Sequence, residues 1–194
     1  MLAFALTRIP GMLPQNFSAA YALAFCAGVY FSGAMAWWLP LGTMLATDIA
    51  ISLFFYNANP FSIYMLPGYL AYAAMIFLGK KFSSRAHWIK LLGGGLLGAI
   101  IFYIVTNTSS WIQLPYAKTL QGWIQALTTG LPDVKPTTWE FFRNTLLSGG
   151  LFTGLFVGAM KLTAESPQEK TAGAREEGPE AEPESSEQPA KAKS

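Results

Sequence analysis

Cysteine, histidine and acidic residues are all scarce in this chain. The one cysteine, Cys26, excludes an internal disulfide. Between Phe25 and Ala27 it reads as a small packing residue rather than a nucleophile. The one histidine, His87, lies in a charged loop with no second His or Cys at ligand spacing, so no metal site is expected. A Gly-x4-Gly-Lys-Ser/Thr phosphate loop is missing, which excludes nucleotide hydrolysis by that route. Ser109-Ser110 have no His–Asp arrangement beside them in the pattern. The chain is therefore read as no enzyme, with no cofactor. No basic patch interleaved with aromatics points to nucleic acid.

What is present is apolar. Of 194 residues, 52% are hydrophobic and 14% aromatic, and the mean hydropathy of +0.33 falls on the membrane side of globular composition. Charge is unevenly divided. Residues 1–164 carry nine Lys/Arg against three acids, a net of +6, and residues 165–194 carry four against eight, a net of −4. These two stretches are read as a membrane helix bundle, 1–164, and an acidic tail, 165–194. The tail has no large apolar residue with which to order itself, and disorder is expected there. The basic excess of the first part suits topology signals and the lipid bilayer as a partner.

A membrane-spanning helix needs about 20 mostly apolar residues, and about 17 suffice when its flanks snorkel. Five segments qualify: Ala19–Trp38, Leu39–Tyr56, Ser62–Gly79, Ile89–Thr106 and Thr145–Leu162. Breaks are expected at Leu39-Pro40-Leu41-Gly42, at Asn57-Ala58-Asn59-Pro60 and across the charged Lys80–Lys90. That basic loop is expected inside the cell, which puts residues 107–144 outside and the C-terminal tail in the cytoplasm. Met1–Leu13 lacks the charged start and cleavage site of a signal peptide, and it is read as a shortened sixth crossing. The piece near Thr119–Thr129 is too short and polar to span, and an interfacial or re-entrant helix is expected. The fold class is thus all-α: a polytopic integral membrane bundle of about six helices.

Asp48 lies inside the second apolar segment. A carboxylate at bilayer depth costs about 2.5–3.5 kcal/mol on insertion scales, so it usually faces a bundle interior or a cavity. Ser52 and Tyr56 follow at i+4 and i+8, on one helical face. Such a face holds a cation, a proton or a polar ligand group; equally, Asp48 serves packing alone by pairing with Arg143 or with backbone groups. Asn16, Asn107, Trp111, Tyr116, Arg143 and Asn144 are expected at one outer mouth, where amides, hydroxyl, indole and guanidinium suit a small polar or planar solute. Each also has an ordinary reading: Asn144 caps the last helix and Trp111 sits among head groups. Small residues recur at four-residue spacing in Ala20/Ala24/Gly28, Gly94/Gly98 and Gly150/Gly154/Gly158. This spacing favours close helix approach, within the chain or against a partner subunit.

The string Pro14-Gln15-Asn16-Phe17-Ser18, with the helix Ala20 to Phe31, resembles the opening of an uncharacterised bacterial membrane family described as transport proteins. Asp48, Thr106-Asn107 leading to Trp111, Tyr116-x-Lys118-Thr119-Leu120-x-Gly122 and Phe142-Arg143-Asn144-Thr145-Leu146 extend the likeness over about residues 8–160. Ala19 stands where that family has Pro, and Ser148-Gly149-Gly150 replaces a Gly-Asp pair, removing an acid from the implied site. The family is in turn similar to substrate-binding S components of energy-coupling-factor vitamin transporters, six-helix proteins that work with a separate membrane subunit and ATPases. The resemblance implies an inner-membrane transport component for a vitamin- or micronutrient-like solute without its own ATPase. It also implies that the Ala20/Ala24/Gly28 stripe faces the coupling partner. Two further readings fit the residues: a stand-alone carrier linked to protons or cations through Asp48, and a structural or assembly membrane protein.

Overall fold

The computed structural model describes residues 2–132, 134 and 136–176, with side chains described from Phe4 to Ala164. Asp133 and Lys135, in the turn expected around Pro132 and Pro136, lie outside the described residues, as do residues 177–194. Among the described residues the chain is all-helical. The order is α1 (Leu2–Leu6), α2 (Ala20–Tyr30), α3 (Met35–Phe54), a 3-10 turn (Ile63–Met65), α4 (Leu66–Gly79), α5 (Trp88–Gln113), α6 (Leu120–Leu127) and α7 (Thr138–Glu176). Met1–Ala159 forms one compact unit and Met160–Ser194 a second. Within the second, the backbone is helical to Glu176, so the stretch expected to be disordered from Glu165 begins as helix.

Among the described residues, three helices are long and apolar enough to cross a membrane: Met35–Phe54, Trp88–Gln113 and Thr138–Ala164. Ala20–Tyr30 and Ile63–Gly79 are apolar but shorter. Several boundaries differ from expectation, each for a local reason. The first expected span breaks early, because Phe31 turns extended and Gly33 adopts a left-handed φ of 58°, a conformation glycine tolerates without steric cost. The 11 residues of α2 therefore rise only about 16 Å, half of a hydrocarbon core of about 30 Å. Trp37 and Trp38 belong to α3, and Pro40 lies inside that helix rather than between two helices. Proline there removes one N–H from the helical ladder, a loss that apolar bundles tolerate when hydroxyls re-satisfy carbonyls. The carbonyl left without its helical donor is that of Ala36, four residues before Pro40. The expected sixth crossing by Met1–Leu13 is absent: α1 closes at Leu6, and Gly11 turns the chain with a φ of 83°.

The last two large helices start and stop elsewhere as well. Exposed His87 caps α5, its Nδ1 accepting the Ile89 N–H at 3.4 Å. The helix continues past Thr106 to Gln113, so Asn107 and Trp111 lie on it and not beyond it. A reciprocal cap opens α7 seven residues before the expected start. The Thr137 N–H donates to Glu140 Oε2 at 2.6 Å and the Glu140 N–H to Thr137 Oγ1 at 3.3 Å, the Thr-x-x-Glu capping box. Asn144, expected as the cap, is instead buried within the helix. The amphipathic piece forms α6, capped by Thr119, whose Oγ1 accepts the Gly122 N–H at 3.2 Å. It lies against α5, tied there by Trp123 Nε1 donating to Thr108 Oγ1 at 2.9 Å.

At the centre stands α2, with Ala20 to Val29 all buried, as befits a helix apolar all round. It packs against α3, α4 and α5. A Cβ on Gly28 would sit 2.2 Å from the Ile76 carbonyl oxygen, and one on Gly79 would sit 2.2 Å from that of Phe25. Only glycine on both sides permits this crossing. The Ala20/Ala24/Gly28 stripe is therefore an internal seam, fully covered by the chain itself, and is not available to a partner subunit.

Candidate functional site

The expected counter-charge of Asp48, Arg143, is not its partner. That partner is Arg8, at the end of the short N-terminal helical segment. Arg8 Nη2 donates to Asp48 Oδ1 in a close ion pair. Arg8 Nη1 donates to Thr47 Oγ1 at 2.6 Å and to the Met44 carbonyl at 3.2 Å. The other carboxylate oxygen, Oδ2, accepts the Tyr69 hydroxyl at 2.6 Å. Both charged side chains are mostly covered, at 18% and 13% exposure. The cluster thus joins the segment after α1 to α3 and α4. It lies one turn from the fully buried Met44 and near the clustered rings of Tyr21, Tyr72 and Phe102, whose centroids are 4.8–4.9 Å apart in the pairs with Phe102.

Two cavities meet at this pair. One, of about 370 Å³, is walled by Tyr64 and Tyr72 and by Thr106, Ser109, Ser110 and Gln113 of α5. The other, of about 560 Å³, lies under the segment 7–18 and reaches Ser52 and Tyr56. Arg8, Asp48, Met65 and Tyr72 border both. The hydroxyls on α5 are partly committed to their own helix: Thr106 Oγ1 donates to the Phe102 carbonyl at 2.9 Å and Ser110 Oγ to the Thr106 carbonyl at 3.1 Å. Their oxygen lone pairs remain as acceptors facing the cavity. The site offers an ion pair, tyrosine rings and hydroxyl oxygens inside an otherwise apolar bundle, which is binding chemistry.

Residues 1–172 match the family of unknown function DUF6580. The chain belongs to that family. No curated protein and no solved structure matches it.

In this DUF6580 chain, the seven residues expected to bind solute, six at one mouth and Asp48 deeper, are divided. Asp48 and Asn16 border the larger cavity. Asn107, Trp111, Tyr116, Arg143 and Asn144 line neither of the two cavities at the ion pair. Each of these five has a local role. Asn107 Nδ2 donates to the Tyr103 carbonyl at 2.9 Å on its own helix. Trp111 Nε1 donates to the Ala117 carbonyl at 2.8 Å, and Lys118 Nζ returns to the carbonyls of Trp111 and Leu114. These bonds close the turn after α5. Tyr116 is buried beside that turn, and burial pushes its phenol pKa up. Exposed Arg143 Nη2 donates to neighbouring Asn144 Oδ1 at 3.5 Å.

Asn144 has the more informative role. Its Nδ2 donates to the Gln15 carbonyl at 3.0 Å, and Ser148 Oγ one turn on lies 3.4 Å from the Asn16 carbonyl. The motif around Asn16, held with a left-handed φ of 61°, is thereby docked on α7. Sequence reasoning missed Arg8, Thr47 and Tyr69. A signal for Arg8 existed: residues 1–79 contain one base and one acid, Arg8 and Asp48.

Proposed function

We propose that this protein is a membrane component that binds a small polar solute and serves transport without an ATPase of its own. The observation that carries the reading is the Arg8–Asp48–Tyr69 cluster standing between two cavities, inside a bundle with little other charge in its first half. A charge pair used for packing alone has no need of open volume on both sides. The likeness of the Pro14–Ser18 segment and its following helix to transport families supports the same reading, including a vitamin- or micronutrient-sized cargo and a separate energising subunit. About six membrane-associated helices, with α6 at the interface, fit that architecture.

Orientation follows from the positive-inside rule. Lys80, Lys81 and Arg85 lie between α4 and α5 and Lys90 on the first turn of α5, and Lys80 Nζ lies 5.8 Å from the Trp37 ring at the start of α3. Tyr69 and Lys80 are separated by about 16 Å of rise along α4. The cavities therefore lie toward the end away from the basic loop, which in this reading is the outer face of the inner membrane, with the C-terminal tail in the cytoplasm.

The test is retention. Protein extracted from its host membrane in mild detergent is denatured, and released small molecules are identified by mass spectrometry against an Asp48→Asn sample. A solute recovered near one equivalent from the natural protein and lost from the variant supports the proposal. Absence of any enriched solute from the natural protein counts against solute binding. Recovery of an ATPase-containing complex in the same preparation supports coupling to a separate motor.

A further inference from the structure

From the bonding inventory of this cluster we infer that the solute is a zwitterion or similarly dipolar molecule of zero net charge, seated against Arg8 and Asp48 together. The inference rests on the solute-binding reading above and specifies its substrate class. A guanidinium carries five N–H donors. Arg8 uses three of them, on Met44, Thr47 and Asp48. An ionised carboxylate accepts about four hydrogen bonds, and Asp48 accepts two, from Arg8 and Tyr69. Both partners thus keep unused capacity of opposite kinds, and both border the two cavities.

Charge balance then selects the ligand. Arg8 and Asp48 are the charged side chains among the lining residues of these cavities, and they cancel. A lone cation or anion would leave one uncompensated charge in a poorly solvated bundle, which is costly. A dipolar solute adds none: its anionic group takes the free donors of Arg8 while its ammonium or N–H group takes the free lone pairs of Asp48. The hydroxyl oxygens of Thr106 and Ser110 extend the acceptor side, and the rings of Tyr64 and Tyr72 offer faces to a cationic or planar portion. The smaller cavity, about 370 Å³, has ample room, since a cavity of about 150 Å³ already holds benzene.

A matched set of probes tests this on the full chain in detergent: 4-(aminomethyl)benzoate, benzylamine and benzoate, which share a ring and differ in charge. Binding is read by calorimetry and by the shift in melting temperature. The zwitterion is expected to bind at least about tenfold tighter than either singly charged probe. Arg8→Gln should move the preference to benzylamine, and Asp48→Asn should move it to benzoate. Should those variants not fold, the ranking on the natural protein decides by itself, with Arg8→Lys, which keeps the charge, expected to preserve it. A natural protein that prefers benzylamine or benzoate overturns the inference. So does one that binds none of the probes while retaining a singly charged solute from its host; in both cases solute binding stands. Failure of every probe together with no retained solute overturns both readings.

Discussion

Replacing Gly28 with alanine tests the seam between α2 and α4 directly. The added Cβ would lie 2.2 Å from the Ile76 carbonyl oxygen and 3.0 Å from the Gly79 Cα, roughly 1 Å inside normal contact for the oxygen. Two helix backbones cannot yield as a side-chain tip would, so the helices must part by about that amount. Overpacking of this kind costs about 1–3 kcal/mol, and a gap of 0.5–1 Å forfeits about a quarter to a half of each contact along the seam. The upper end of the range applies, offset by about 1 kcal/mol of helix propensity gained on replacing glycine. The net expectation is a loss of about 2 kcal/mol, measured by equilibrium unfolding in mixed micelles. Gly79→Ala meets the Phe25 carbonyl in the same way. One separation of the helices relieves both clashes, so the double variant should lose about as much as one single variant and far less than their sum. Gly154→Ala and Gly158→Ala, where an added Cβ meets nothing within 4 Å, are the unobstructed controls, expected to gain up to about 1 kcal/mol of helix propensity. Strict additivity of the two seam variants, or a Gly28→Ala protein as stable as the controls, would refute the reasoning.

Removing one partner of the Arg8–Asp48 pair leaves the other poorly solvated. Breaking a fully buried pair costs about 3–5 kcal/mol, and the residual exposure here reduces the expectation to about 2–3 kcal/mol for Asp48→Asn in the same unfolding assay. The double variant Arg8→Gln/Asp48→Asn should recover part of that loss, since neither charge is then orphaned. Thr137→Ala removes one half of the cap on α7 and should cost about 1 kcal/mol, with faster amide exchange confined to the first turn of that helix. For orientation, alkaline phosphatase fused after Ser194 should be inactive and green fluorescent protein fused there should be bright; the reverse pattern would invert the proposed topology.

The all-helical character, with helices apolar enough to cross a membrane, was legible because apolar runs of sufficient length have few other interpretations. Boundaries were harder, and the errors are instructive. Pro40 looked like a break, yet an apolar bundle carried the helix through it, while the actual turn needed only the left-handed Gly33. Asn144 looked like a helix start, whereas the Thr137-x-x-Glu140 cap, a pattern visible in the chain, opens the helix earlier. At the site, the unusual charge of Asp48 was evident, but its partner was sought among residues distant in sequence and near in presumed depth. Arg8 was passed over because it ends a short apolar stretch that resembled a truncated span. Asn107 and Trp111 resembled mouth residues because their local hydrogen bonds, to Tyr103 and Ala117, depend on helix extent and turn geometry rather than on residue type.

The segment from Arg8 to Asn16 also has a mechanical meaning. A helix as short as α1 has no stability of its own, so its position is set by what grips the chain after it. At one end Arg8 holds Met44, Thr47 and Asp48 of α3; at the other, the carbonyls of Gln15 and Asn16 meet Asn144 and Ser148 of α7. Six residues separate Arg8 from Gln15, a tether no longer than about 25 Å when fully drawn out. The cavity end of the bundle is thus strapped: α3 and α7 can part only as far as this strap allows, unless the ion pair or the amide contact lets go first.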